Sequence, residues 1–141
     1  AGVNTTPVIS NSGPNVVASA ANFGSGALGY MKISPNGAKV AACHSYENND
    51  LVLSDFNTST GVVSNSITMN ILFDSESDGP YGVEFSNCNE YLYVSEQFTT
   101  SDWFWGTAWP RETRIWRYDL NAPSIPASKF LFRNMVFVPM F

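Results

Sequence analysis

The chain is 141 residues long, the length of a single domain. Hydrophobic residues make up 44% of it and charged residues only 13%, a balance that predicts a folded chain with an apolar core. The net charge of −5, without any cluster of Lys or Arg, argues against nucleic acid as a partner. No apolar run approaches the roughly 18 residues of a membrane span.

The first clear elements are two strands within GYMKISPNGAKVAAC, residues 29–43. Apolar and polar residues alternate before the turn SPNG, as they do in a half-buried strand. Pro presets φ in this turn and Gly accepts a positive φ, so the sequence predicts a hairpin with strands near 29–34 and 38–43.

Two further strands are predicted near 51–56 and 62–68, within LVLSDFN and GVVSNSITM. The first of them ends in an Asp-x-Asn element, Asp55 to Asn57. Short Asp and Asn side chains can hydrogen-bond the backbone two residues on, so Asp55 is predicted to form the turn between these strands.

The same four elements return in the second half of the chain. YGVEFSNCNEYLYVS matches the first hairpin at an offset of 52, and IWRYDLN matches LVLSDFN at an offset of 64, which places Asp119 on Asp55. The difference, 64 − 52 = 12, is the number of residues added between the second and third strands. Strands are predicted near 81–86, 90–95, 114–119 and 126–132, and each set of four is expected to form one antiparallel sheet in sequence order.

A four-stranded antiparallel unit that recurs after roughly 40–50 residues is typical of β-propeller blades. We therefore predict an all-β fold with complete blades at 28–69 and 80–132, a remnant of a preceding blade at 5–20 and a tail at 133–141. Residues 1–141 then form one partial propeller domain. A β-sandwich is the alternative, although it does not require four strands to recur in order.

Three stretches carry a resemblance to a known family. GYMKISPNGAKVA, LSDFNTSTGVVSNSITM and YGVEFSNCNEYLYVS with the later YDLN resemble the WD-repeat-like, YVTN-type propeller modules of secreted bacterial surface proteins. Such proteins are associated with gliding motility and often carry type IX secretion sorting tails. The resemblance covers about residues 5–128 and implies a secreted or cell-surface propeller of about seven blades. The chain departs from it after Phe132, where RNMVFVPMF stands in place of the next blade's start.

Two blades alone leave apolar faces and strand edges uncovered. We therefore expect further blades or neighbouring chains to cover them. The apolar end MVFVPMF, residues 135–141, is expected to be buried against the same partner.

The added residues lengthen the loop EQFTTSDWFWGTAWPRET, residues 96–113, which is the main candidate for ligand or partner binding. It contains Trp103, Phe104, Trp105 and Trp109. Aromatic rings beside Asp and Arg can stack on a sugar ring or anchor a partner protein. The alternative is that these rings close the loop as a small core of their own.

DSESDG, residues 74–79, resembles the start of a calcium loop, with carboxylates at Asp74, Glu76 and Asp78 followed by a glycine. The bidentate Glu expected at loop position 12 is absent, because that position is Phe85. A solvated acidic loop is therefore favoured, and no cofactor is predicted beyond a weak calcium candidate here.

No group of residues points to catalysis. His44, the single histidine, would need a nucleophile such as Ser45 or Ser95 and an orienting acid, and the sequence has neither a GxSxG elbow nor zinc-ligand spacing. A bridge between Cys43 and Cys88 needs Cα atoms within about 7 Å. Their predicted positions do not provide that distance, so both are predicted to be free thiols.

Lys32 and Glu84 occupy equivalent positions in the two innermost strands. We expect them to pair near the propeller axis with most of their surface buried, since an unpaired buried charge is costly. On this interpretation Glu84→Gln lowers stability by about 1–3 kcal/mol. A channel lining that binds a ligand is the alternative role for the pair. Asp119, like Asp55, is predicted to form a turn.

Three functions are compatible with these elements. The favoured one is a non-enzymatic module whose rigid blades present loops to a protein or glycan at the cell surface. The second is part of a lactonase-like propeller hydrolase, which needs convergent acid, base or metal groups that these two blades do not supply. The third is a subunit of a larger surface assembly, with its open edges paired to neighbours.

Replacing Trp105 by Ala separates the two roles of the aromatic loop. If the rings close the loop as a core, Trp105→Ala should lower the free energy of unfolding by about 3 kcal/mol or more. If they form a contact surface, stability should change little and binding to glycan or partner should be lost. Unchanged binding by the folded variant would contradict the contact surface.

Overall fold

The computed structural model describes residues 6–13, 29–45, 49–70, 77–98 and 112–136. Within these ranges the chain is all-β and forms two antiparallel sheets of four strands each. The first sheet contains β1 (Met31–Ile33), β2 (Lys39–His44), β3 (Asp50–Asn57) and β4 (Val62–Asn70). The second contains β5 (Ser77–Phe85), β6 (Tyr91–Phe98), β7 (Glu112–Asp119) and β8 (Phe130–Val136). Strands follow sequence order in both sheets, which confirms two propeller-like blades; the sheets do not close.

The hydrogen bonds of the two hairpin turns repeat at the spacing found in the sequence. The Gly37 N–H donates to the Ser34 carbonyl at 2.8 Å, and the Asn89 N–H donates to the Ser86 carbonyl at 2.9 Å. A positive φ falls at the same turn position, 70° at Gly37 and 60° at Asn89. Gly and Asn tolerate this conformation best, so the turns form for the reason that the sequence suggests.

β8 is displaced from its predicted position. It begins at Phe130 rather than 126 and ends at Val136 rather than 132. Pro126–Ser128 form a 3-10 turn instead. The Ser128 hydroxyl donates to the Ile125 carbonyl at 2.7 Å and accepts the Asp119 N–H at 2.9 Å, which holds this turn in place. The strand therefore uses residues that the sequence interpretation assigned to the tail.

The two blades pack face to face through one hydrophobic cluster. The pairs Cys43–Leu51 and Leu51–Met69 lie directly across neighbouring strands, so their side chains share one side of the first sheet. Removing this surface from water is the main stabilising contribution of the fold. The front face of the first blade consists of Ala41, Cys43, Leu51, Leu53 and Met69, and the back face of the second blade consists of Val83, Phe85, Leu92, Val94, Trp116 and Tyr118.

Hydrogen bonds join the blades beside the innermost strands and at the hairpin turns. The Tyr30 N–H donates to the Tyr81 carbonyl at 2.8 Å. The two tyrosine rings also contact each other, with centroids 5.4 Å apart. At the turns, the Asn36 N–H donates to Oδ1 of Asn89 at 3.0 Å. These bonds fix the position of one blade against the other.

Residues 6–13 are the described part of the predicted remnant, and they form no strand. They contact β4 through side chains instead: the Ser10 hydroxyl accepts the Val63 N–H at 3.3 Å, and the Ser12 hydroxyl lies 2.5 Å from that of Ser66. The blade remnant predicted at 5–20 therefore adds no strand to the sheet over residues 6–13, where serine hydroxyls make the contacts to β4.

Gly29 is predicted to be sensitive to substitution. Its φ is 141°, and a Cβ there would overlap the carbonyl oxygen of Cys43, so Gly29→Ala should lower the free energy of unfolding by about 1–3 kcal/mol. Gly13→Ala is the control, because its φ is 92° but the nearest atom would be 3.5 Å away. Urea denaturation of both variants measures the difference. Equal losses would contradict the overlap with Cys43.

Candidate functional site

Most of the predicted binding loop and calcium loop lies outside the described residues. This applies to Trp103, Phe104, Trp105 and Trp109, and to Asp74 and Glu76; Asp78 is described only as a backbone position in β5. Their proposed roles stay predictions. The structure does describe the strands that carry the aromatic loop, β6 as far as Phe98 and β7 from Glu112.

Lys32 and Glu84 form an ion pair between the innermost strands. Lys32 Nζ lies 2.8 Å from Glu84 Oε2, and this hydrogen bond raises the pKa of Lys32 and lowers the pKa of Glu84. Their side chains remain 45% and 63% exposed, so the expected burial is wrong. Both side chains keep substantial contact with water because they lie at the inner edge of the blades. A pair this exposed contributes little stability, and the large loss expected for Glu84→Gln does not follow.

The equivalent residues Asp55 and Asp119 have different roles. Asp119 Oδ1 accepts the Asn121 N–H at 2.9 Å, which is the expected turn interaction. Asp55 instead accepts from Lys39 Nζ at 3.0 Å and from Asn65 Nδ2 at 2.8 Å. The turn role predicted for Asp55 is therefore wrong.

Asn57 forms the turn that was expected of Asp55. Its Oδ1 accepts the Ser59 and Thr60 N–H groups, each at 3.0 Å. The Asp-x-Asn element does predict a turn at this point, but either its Asp or its Asn could supply the side chain that bonds the turn backbone. Only the register of β3 with β4 decides which side chain meets the turn backbone.

Among the described residues, the two serines named as candidate nucleophiles for His44 bond backbone groups. His44 lies across from Asp50 in the β2–β3 pair, and burial lowers the pKa of His44 and raises that of Asp50. The Ser45 hydroxyl donates to the Pro80 carbonyl, and the Ser95 hydroxyl accepts the Gly82 N–H at 2.9 Å. Both serine hydroxyls therefore form hydrogen bonds with backbone groups.

Both cysteines are free, which confirms the prediction from their positions. Cys43 is buried in the cluster between the blades, and this burial raises the pKa of its thiol to about 12. Its thiol is therefore protonated and unreactive in the folded protein. Cys88 is exposed in the second hairpin turn.

A buried polar cluster at the base of the aromatic loop was missed by the sequence analysis. Glu96 is fully buried at the end of β6, and the Trp116 indole N–H donates to its Oε2 at 2.7 Å. The Lys129 ammonium lies 4.3 Å from the centre of the Trp116 ring. Burial lowers the pKa of Lys129 to about 8, although the nearby charge of Glu96 opposes this effect.

The cluster continues to the first residue of β7. Arg114 lies across from Glu96 in the β6–β7 pair, and its Nε is 2.5 Å from Glu112 Oε1. Together these groups join β6, β7 and the segment before β8, so they fix the base from which the aromatic loop starts. The alternation in YLYVSE, residues 91–96, indicates the burial of Glu96, because Glu96 lies on the same side of the strand as the apolar residues Leu92 and Val94.

Comparison with known proteins assigns no family to the chain. No family model matches the chain, and no curated protein matches it. The crystal structure of a protein from Lactobacillus plantarum is similar at 14% identity with a TM-score of 0.40, over 78% of this chain and 42% of that one. The chain thus spans less than half of that protein's length. In the described ranges, no helix is long and apolar enough to cross a membrane.

Lys129 should give the protein a recognisable pH dependence. Its pKa falls from an ordinary 10.5 to about 8 on folding, so the unfolded chain binds the extra proton between these values and stability rises with pH across that window. Wild type should therefore gain free energy of unfolding relative to Lys129→Met as the pH rises from 8 to 10.5. Denaturant melts at several pH values measure this difference. The control is Lys32→Met, because the pKa of Lys32 is raised; the same trend in both variants would contradict the assignment.

Proposed function

We propose that the chain is a non-enzymatic structural and binding module of a secreted or cell-surface propeller. On this proposal its two blades serve as a rigid scaffold, and further blades or a neighbouring protein cover their outer faces. The loops at the blade ends then present a surface to protein or glycan. Since fold alone does not determine function, the proposal depends on what the exposed faces of this chain contain.

One observation carries the proposal: equivalent positions are buried between the blades and exposed outside them. Val83 and Phe85 of β5 are each 4% exposed, because the first blade covers them. Their equivalents at an offset of 52, Met31 and Ile33 of β1, are 68% and 52% exposed. An apolar position that the repeat buries in one blade and leaves open in the next is typical of a surface that receives a partner.

The front face of the second blade supports the same proposal. Phe130 and Phe132 are 56% and 53% exposed, and the Phe132 ring contacts that of Tyr93 with centroids 5.3 Å apart. The Arg117 guanidinium lies 4.7 Å from the Tyr91 ring centre and 5.1 Å from that of Phe130. Aromatic residues and arginine are the residue types enriched in protein interfaces.

The more specific part of the proposal comes from the sequence. The resemblance to secreted propeller modules suggests a bacterial surface protein associated with gliding motility and exported through type IX secretion. The sparse charge of the chain, 13% of residues, suits a protein that works outside the cell.

The association of these faces can be measured on the purified chain. Sedimentation velocity over a concentration series should show assembly to a defined species, because apolar faces that lack a partner pair with each other. Phe132→Lys and Met31→Lys should each weaken this assembly while the far-UV circular dichroism spectrum stays unchanged.

Thr60→Lys is the matched control, because Thr60 is exposed in the β3–β4 turn, away from both faces. It should assemble as wild type does. A wild-type chain that stays monomeric at every concentration, or an equal effect of all three lysine substitutions, would contradict the proposal.

A further inference from the structure

A polar cleft of about 410 Å³ opens at one end of the first blade. It lies between the hairpin turn that joins β1 to β2 and the turn that joins β3 to β4. Its lining residues are Asn36, Gly37, Ala38, Asp55, Phe56, Asn57, Thr58 and Ser64. This volume lies within the range of clefts that hold small ligands.

Asp55 supplies the charge in this cleft. Lys39 Nζ donates to its Oδ1 at 3.0 Å, and Asn65 Nδ2 donates to its Oδ2 at 2.8 Å. The Asn65 bond, followed by the Lys39 bond, lowers the pKa of Asp55, so the carboxylate is ionised at neutral pH. A carboxylate accepts about four hydrogen bonds, which leaves acceptor capacity for a ligand that donates.

The cleft selects against anions and against purely apolar molecules. The charge of Lys39 is paired with Asp55, so it is not available to balance a phosphate or a second carboxylate. The amide NH2 groups of Asn36 and Asn57 add donors, whereas their oxygens are already used: Oδ1 of Asn36 accepts from the Ser34 hydroxyl and the Ala38 N–H, and Oδ1 of Asn57 accepts two turn N–H groups. A neutral molecule with several hydroxyl groups, which can both donate to a carboxylate and accept from amides, is the chemistry that this combination fits.

The connection equivalent to the β3–β4 turn is built differently in the second blade. Its β7–β8 connection is longer, running from Asp119 to Phe130, whereas β3 and β4 are joined between Asn57 and Val62. Pro126–Ser128 of that connection fold back, and the Ser128 hydroxyl bonds the backbone of Asp119. The two outer connections therefore differ in length and in the contacts that hold them.

We propose that this cleft binds a neutral sugar ring. Asp55 accepts from ring hydroxyls, and the amide NH2 groups of Asn36 and Asn57 donate to further hydroxyl oxygens. This inference rests on the proposed function, since it names a ligand class and a site for the binding module.

Two-dimensional NMR of the ¹⁵N-labelled chain tests the site directly. D-glucose, D-galactose, D-mannose and N-acetyl-D-glucosamine are titrated singly to high millimolar concentration. At least one should produce saturable shifts of the backbone amides in 36–38 and 55–58, while the amides of β8 stay in place. Because the cleft offers few charged contacts, dissociation constants in the millimolar range are expected.

Substitutions at the cleft then assign the binding. Thr58→Trp should abolish the shifts by filling the cleft, whereas Ser59→Trp places the same ring one residue away, outside the lining, and should leave them unchanged. Asp55→Asn should weaken binding by about tenfold or more, since a hydrogen bond to a charged group is lost. If Asp55→Asn does not fold, the Thr58 and Ser59 pair decides the question.

The inference is overturned if none of the four sugars gives saturable shifts, or if Thr58→Trp binds as well as Ser59→Trp. Its failure is distinguishable from that of the proposed function. Assembly through Phe132 and Met31 depends on the blade faces, so it can persist in a chain that binds no sugar.

Discussion

The structure depends on the burial of one sheet face against another. A single four-stranded sheet cannot remove an apolar face from water by itself and must bury it against another element. In this chain the front face of the first blade packs on the back face of the second blade, and this contact removes one side of each sheet from water. Leu51 and Leu92, which lie in the contact, are fully buried. The hairpin turns, the Tyr30–Tyr81 contact and the inner ion pair are all positioned by this packing.

Polar groups are also buried in the folded chain, and each needs a hydrogen bond or an opposite charge to offset its loss of contact with water. Glu96 is fully buried, and it is stabilised by the Trp116 indole and by the nearby charge of Lys129. The Tyr118 hydroxyl is also buried, and within the described ranges it has no hydrogen-bond partner. Burial raises the pKa of Tyr118, so the hydroxyl stays neutral, which is the least costly state for an unpaired group in a core.

The two blades have diverged where they do not pack. Their inner hairpins keep the same turn geometry, since the interface between the blades constrains both. Their outer turns differ: the first blade uses a short connection stabilised by Asn57, and the second uses a longer one stabilised by Ser128. Sites of function are expected at such differences, because packing restricts them least.

The amino-acid sequence by itself determined the order of the eight strands, the two hairpin turns and the position of every strand except β8. The alternation of apolar and polar residues indicates which positions face a core. Gly37 and Asn89 mark the turn positions at which the backbone needs a positive φ. These are local properties, so a repeat of 52 residues was enough to predict two blades.

Only the tertiary structure decided which side chains meet. The exposure of Lys32 and Glu84 depends on what lies beside the innermost strands, and the different roles of Asp55 and Asp119 depend on the register of the outer strands. The hydrogen bond between Glu96 and the Trp116 indole depends on the pairing of β6 with β7. The shift of β8 likewise followed from the Ser128 contacts with Asp119. Burial and hydrogen bonding between distant residues are set by how the sheets pack, and a pattern along one strand carries no information about the strand that covers it.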